Sequence, residues 1–131
     1  MQAKPFEASV RCVSAHAGTP RADSIFIIDL RGEINASAET EMEGAYAQAT
    51  RHNPMAVLLN FEGVNYISST GIALIVQLSA QARTAGHRLR AYGLSAHYVE
   101  IFQITRPAEF VKVYLDEASA LSSVRENRFQ V

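Results

Sequence analysis

Residues Met55–Gly71 read MAVLLNFEGVNYISSTG. Met55–Asn60 is a short apolar run without alternation, the pattern of a central strand covered on both faces. Phe61–Ile67 reads as a connector from that strand to the segment Ser68-Ser69-Thr70-Gly71. Thr70–Ala85 (TGIALIVQLSAQARTA) then predicts a helix, and Gly86 suits the left-handed residue that follows a helix end.

Upstream, Ser24–Arg31 (SIFIIDLR) is rich in β-branched and apolar residues and predicts a strand closed by Gly32. Ser37–His52 predicts a helix. Ala38, Met42, Ala45, Tyr46 and Ala49 recur at helical spacing and share one face. Glu39, Glu41 and Glu43 lie off that stripe in the first turns, where the helix dipole favours acids. A solvated face is the usual reason for such a run; a basic partner is the other. Asn53-Pro54 breaks this helix. Ala8–Val13 predicts a further short strand. The intervening His16–Asp23 (HAGTPRAD) reads as a loop.

Downstream, Arg88–Tyr92 predicts a strand closed by Gly93. Ser95 suits the N-cap of a short helix, Ala96–Ile104, with Val99 and Phe102 inward. Phe110–Tyr114 predicts a last strand. Asp116 suits the cap of a C-terminal helix reaching about Asn127, with Ala118, Leu121 and Val124 inward. Strands alternating with helices predict an α/β fold with a largely parallel sheet and right-handed crossovers. The first two strands adjoin in sequence and suit an antiparallel pair, which makes the sheet mixed. The chain of 131 residues has the length of one domain, with residues 1–7 as a loose arm and 125–131 as a tail.

Composition narrows the function classes. Hydrophobic residues make up 48% and charged ones 19%, which is globular and not disordered. No apolar run reaches the roughly 18 residues of a membrane span, and the N-terminus lacks the apolar core of a secretory signal. Twelve basic against thirteen acidic residues leave a net charge of −1, without the basic surplus of a nucleic-acid binder. The single cysteine, Cys12, excludes an internal disulfide framework and suits a reducing, cytoplasmic setting.

Catalytic and metal signals are thin. His16, His52, His87 and His97 have no partner at metal-ligand spacing, and Cys12 has no CxxC mate, so no metal is expected. No glycine-rich nucleotide loop is present, so no cofactor is expected. Ser69 does not lie in a GxSxG elbow. A hydrolase pairing Ser69 with His52 or His97 is the least favoured reading.

Two features bear on function. Ser68, Ser69 and Thr70 stand at a helix start, where hydroxyls cap free N–H groups. The same position receives anions, so a phosphoserine there gains about 0.3–1 kcal/mol from the dipole. It also adds about −1.5 to −2 charge, enough to disrupt an apolar partner docked above it. A cap and an acceptor are compatible roles. The following helix carries apolar residues at nearly every azimuth, with Arg83 as its one charge. Either its own domain covers it, or part of it docks a partner or a second copy. The docking reading assigns Ile72, Ile75, Val76 and Ser79 to the surface.

At these residues the sequence resembles the STAS domain family of anti-sigma factor antagonists. Ile28–Asn35 (IDLRGEIN) is similar to the family's strand and turn, apolar-x-Leu-x-Gly-x-Leu-Asp. Val57–Gly71 is similar to its strand, connector and Asp-Ser-Ser/Thr-Gly motif. Gly86–Tyr92 and Val99–Leu121 follow in family order, so the resemblance spans roughly residues 8 to 124. It implies a mixed five-stranded sheet with four main helices, the order already read from the residues. It implies binding to an anti-sigma factor that is also a serine kinase, with phosphorylation weakening that binding. Aligned on the motif, Ser69 is the phosphoacceptor, Thr70 the second hydroxyl and Gly71 the glycine. Asn35 and Ser68 stand where the family has aspartates. Without those carboxylates a phosphate on Ser69 meets less local repulsion, while a kinase that reads them loses a determinant. The resemblance thus leaves two functions: a phosphorylation-controlled switch, or a constitutive adaptor in a larger signalling or transport assembly. The kinase supplies the chemistry in the first case, so no enzymatic activity of the chain itself is expected.

Overall fold

The computed structural model describes residues 6–13, 24–51, 53–104 and 111–127. Its elements are β1 (Glu7–Val13), β2 (Ile25–Ile34), a 3-10 turn (Ala36–Ala38), α1 (Glu39–Thr50), β3 (Ala56–Ile67), α2 (Ser69–Ala85), β4 (Arg88–Tyr92), α3 (Ala96–Ile104), β5 (Lys112–Tyr114) and α4 (Glu117–Asn127). They build one sheet in the order β1-β2-β3-β4-β5. β1 runs antiparallel to β2, and every other pair is parallel. This is the mixed α/β sheet the sequence predicts.

The faces follow from alternation along the strands. Phe26, Ile28 and Leu30 of β2 with Val57, Leu59 and Phe61 of β3 point into a core closed by α1, α2 and α3. All five apolar residues of the α1 stripe, from Ala38 to Ala49, are buried in it. Ile25, Ile27, Ala56, Leu58 and Tyr92 point the other way and are covered by Ala120 and Val124 of α4. The run Ala56–Leu59 is therefore buried on both sides, which is why it shows no alternation.

Several boundaries differ from expectation. Met55–Asn60 and Phe61–Ile67 are not strand and connector: Ala56–Ile67 is one strand, and Met55 precedes it. Beyond Asn60 and Tyr92 the sheet narrows, and the end of β3 pairs with β2 alone, up to Ile34 opposite Ile67. Its faces there are more exposed, so polar residues enter a strand and mimic a loop. β3 carries two extra residues in this stretch, at the register shifts facing Asp29/Arg31 and Gly32/Glu33. Gly32 does not end β2; it continues the strand at φ 94°, beside those shifts. Ala118 faces solvent, and Ala120 takes the inward place. Glu7 belongs to β1 and Phe6 packs on the core, so neither is part of a loose arm. The helix α4 includes residues 125–127, so the expected tail from 125 does not begin there. The loop His16–Asp23 lies outside the described residues, as do His52, Pro107, Phe110 and residues 128–131.

A polar row crosses the α4 face. Arg11 of β1 donates to both carboxylate oxygens of Asp29, at 2.7 and 3.2 Å, and to Glu117 at 2.8 Å. Tyr92 donates to the same Glu117 oxygen at 2.9 Å, and Asn60 donates to Asp29 at 2.7 Å. Every strand from β1 to β4 thus contributes one residue, and α4 is tied in through its first turn. The Arg11 bond, ahead of partial burial, holds the Glu117 carboxyl below its ordinary range. For Asp29 burial pushes upward, but the bonds from Arg11 and Asn60 outweigh it and the net direction is down. Burial and the Glu117 bond push the Tyr92 hydroxyl up.

Candidate functional site

The helix α2 begins where β2 and β3 end side by side. The backbone N–H of Ser68 donates to the carbonyl of Ile34 at 2.9 Å, which joins the last residue of β2 to the residue before the helix. Ser68 is extended (φ −77°, ψ 171°) and its Oγ accepts the N–H of Gly71 at 3.0 Å. That is an N-cap: one otherwise unpaired donor of the first turn is satisfied by a side chain. The Ile72 N–H closes the first helical bond, to Ser68 O at 2.9 Å.

This geometry separates the three hydroxyls. Ser68 is half-buried and committed to the cap. Ser69 and Thr70, the first two helical residues, are exposed. Gly71 is buried against β2. A Cβ there would overlap the carbonyl oxygen of Ile34 and stand 2.9 Å from its carbonyl carbon. Only glycine lets the helix start this close to the strand.

Asn35 caps a different element. Its Oδ1 accepts the N–H of Ser37 at 3.0 Å and the Ser37 hydroxyl at 2.6 Å, which fixes the 3-10 turn leading into α1. An aspartate could accept the same two bonds; the asparagine does so without a charge. Asn35 directly follows Ile34, the residue that anchors Ser68, so the five motif residues Asn35, Ser68, Ser69, Thr70 and Gly71 flank one strand end.

The surface assigned to α2 needs correction. Ile75 is fully buried and Ser79 is 1% exposed, its hydroxyl turned back to Val76 O at 2.7 Å. Neither can meet a partner. Ile72 and Val76 are half-buried, and Ile72 packs against the core. The exposed residues of α2 are Ser69, Thr70, Ala73, Gln77, Ala80, Gln81, Arg83, Thr84 and Ala85. Alanine scores as apolar but is small enough to stand in water at little cost, so counting hydrophobic residues overestimated the covered area. Gln77 and Gln81 face Glu39 and Glu43 of α1 across a shallow groove floored by Met42, Leu74 and Leu78.

Two further residues near the site carry no motif in the sequence. The Tyr98 hydroxyl accepts the Ile67 N–H at 2.9 Å and so ties α3 to the end of β3, one residue before Ser68. Its signal was a tyrosine within an apolar helix stripe, where a polar tip needs a partner. Tyr66 is 51% exposed next to the same strand end, a large aromatic where a strand face meets solvent.

Among the described residues no histidine hydrogen-bonds Ser69. His97 is exposed on α3, edge-on to Tyr98. His87 lies between the Tyr46 hydroxyl (3.3 Å) and Asn53 Oδ1 (3.1 Å), where it joins α1 to the start of β4. Among these residues no group of His, Cys, Asp or Glu is arranged to hold a metal ion. Among the described residues no helix is long and apolar enough to cross a membrane.

A mixed five-stranded sheet with a hydroxyl-capped helix docked on a strand end defines a class, and sequence comparison agrees with it. The chain belongs to the STAS domain family, whose model matches residues 16–120. BtrV of Bordetella bronchiseptica, named as an anti-sigma factor antagonist, is 26% identical over 85 residues, covering 65% of this chain and 73% of that protein. The crystal structure of an anti-sigma factor antagonist from Mycobacterium paratuberculosis superposes with a TM-score of 0.72 at 16% identity, covering 92% of this chain and 95% of that one. The Bacillus cell fate determinant SpoIIAA in its phosphorylated form superposes with a TM-score of 0.61 at 18% identity, covering 89% and 100%. The protein thus has the fold of anti-sigma factor antagonists.

Proposed function

We propose that this STAS domain is a phosphorylation-controlled interaction module of a bacterial partner-switching pathway, working in the cytoplasm. The unmodified domain binds a kinase-type anti-sigma factor through the start of α2. That kinase phosphorylates Ser69, and the added charge releases the complex. The observation that carries this reading is the division of labour at the helix start: Ser68 does the capping, which leaves the Ser69 hydroxyl exposed and free of structural duty. A phosphoryl group on Ser69 would lie at the positive end of α2, with neutral Asn35 and Ser68 nearby, so the fold tolerates it and the change is felt by the partner. The relation to a fold solved in a phosphorylated form supports the same direction. The domain itself performs no chemistry; the kinase brings base, magnesium and nucleotide.

A constitutive adaptor is the second reading, and one observation favours it. Asn35 and Ser68 replace the acids of the family motif, and both side chains are engaged in local caps. The deciding experiment is the intact mass of the protein recovered from its own host, with peptide mapping across Val57–Arg83. A phosphoryl group on Ser69 supports the switch. An unmodified peptide in both growing and stressed cells overturns it and leaves the adaptor.

A further inference from the structure

The face of the sheet under α4 holds a second feature, remote from Ser69. Arg88 and Arg90 alternate with Leu89 and Ala91 of the main core, so both arginines point to the α4 side. Arg90 is only 8% exposed. Its Nε is buried with no acceptor, and its Nη1 reaches only the carbonyl of Leu89, at 3.2 Å. The Nη1 of the half-buried Arg88 is likewise buried with no acceptor. Lys112 of β5 lies directly opposite Arg90 in the ladder and is exposed. Among the described residues no carboxylate pairs with any of the three.

Such an arrangement is costly by itself. Guanidinium groups stay charged at every physiological pH. A buried charge without a counter-charge is among the most destabilising features a fold can carry, and like charges opposite one another on adjacent strands repel. Buried donors without acceptors are rare in native proteins, and an ion is one of the few explanations. The rest of this face solves the same problem internally: Arg11 has Asp29 and Glu117. Among the described residues, Arg88 and Arg90 have no such acid.

We propose that Arg88, Arg90 and Lys112 form a binding site for a small oxyanion of the phosphate class. Three cations suit a group carrying about two negative charges better than a monocarboxylate. The burial of Arg90 limits the occupant to a small anion, and exposed Lys112, opposite Arg90 on the edge strand β5, marks the side from which it enters.

The test is calorimetric titration of the purified full chain with inorganic phosphate at constant ionic strength, paired with melting curves in phosphate and in chloride. Saturable binding near one per chain, with a melting temperature raised by phosphate and not by chloride, is expected. Arg90→Met and Arg88→Met should each weaken binding at least tenfold, while Arg31→Gln, an exposed arginine elsewhere, should leave it unchanged. If Arg90→Met fails to fold, Lys112→Gln serves, with a smaller loss expected. A parallel titration with glycerol 3-phosphate distinguishes sources: tighter binding assigns a phosphorylated small molecule, weaker binding assigns free phosphate. Absence of saturable binding, or equal binding by the arginine variants, overturns the site.

Discussion

Gly71 lies so close to Ile34 that a methyl group on it would collide with the Ile34 carbonyl, which already accepts the N–H of Ser68. The glycine of the motif is therefore a packing requirement, set by the depth at which α2 enters the strand end. Gly71→Ala should destabilise the protein by about 2–4 kcal/mol, since the obstacle is backbone and cannot rotate away. Thermal or urea denaturation measures this, and a loss under about 0.5 kcal/mol would mean that the helix shifts freely.

Ser68 is the cap and Ser69 the proposed acceptor, and stability separates the two roles. Ser68→Ala should cost about 1 kcal/mol through the lost cap, and Ser68→Asp should cost little because aspartate caps equally well. Ser69→Ala should stay within about 0.5 kcal/mol. The reverse order in urea melts would place the cap on Ser69 and remove the basis of the switch.

Partner binding gives a second contrast. Ser69→Glu should weaken binding to the proposed partner, a kinase-type anti-sigma factor, while the melting temperature stays near wild type. Gln77→Ala and Ala73→Glu probe the exposed α2 face in the same way. Ile75→Ala acts differently: it empties core volume and should cost about 2–5 kcal/mol. Surface plasmon resonance beside circular dichroism distinguishes the two effects.

The row across the α4 face predicts an acid limb. Asp29 and Glu117 have folded values below their ordinary 3.8 and 4.5. A depressed carboxyl stabilises the fold above its unfolded value, and that contribution disappears as pH falls through the lower folded value. Stability should therefore be level above about pH 5 and decline as pH drops below the ordinary carboxylate range. Arg11→Met removes the shared cation and should flatten this decline. An unchanged slope in melts from pH 6 to 3 would show that other carboxylates govern it.

Ser68→Asp with Asn35→Asp restores the two acids of the family motif. If the kinase reads them, phosphorylation of Ser69 in a reconstituted reaction should speed up by at least severalfold. A rate equal to wild type would show that the neutral pair is no handicap.

The sequence by itself determined the element order, the helical stripe from Ala38 to Ala49 and the doubly buried run at Ala56–Leu59, because burial on one or two faces writes a period into the chain. It also gave the hydroxyl motif, the Gly86 helix end and the capping role of Asp116, which are local backbone chemistry. Tertiary structure alone decided the rest. Gly32 and Phe61–Ile67 look like breaks until β2 and β3 are seen to extend together past the narrowing sheet. Which of three adjacent hydroxyls is the cap depends on Ile34, 34 residues away from Ser68. Whether Ile75 is docking surface or core depends on what lies over α2. Periodicity reports how much of a helix is covered, not by what, because the hydrophobic effect is non-directional. The pairing of Arg11 with Asp29 and Glu117, and its lack at Arg88 and Arg90 among the described residues, rests on strand register, which brings together side chains that sequence spacing leaves unrelated.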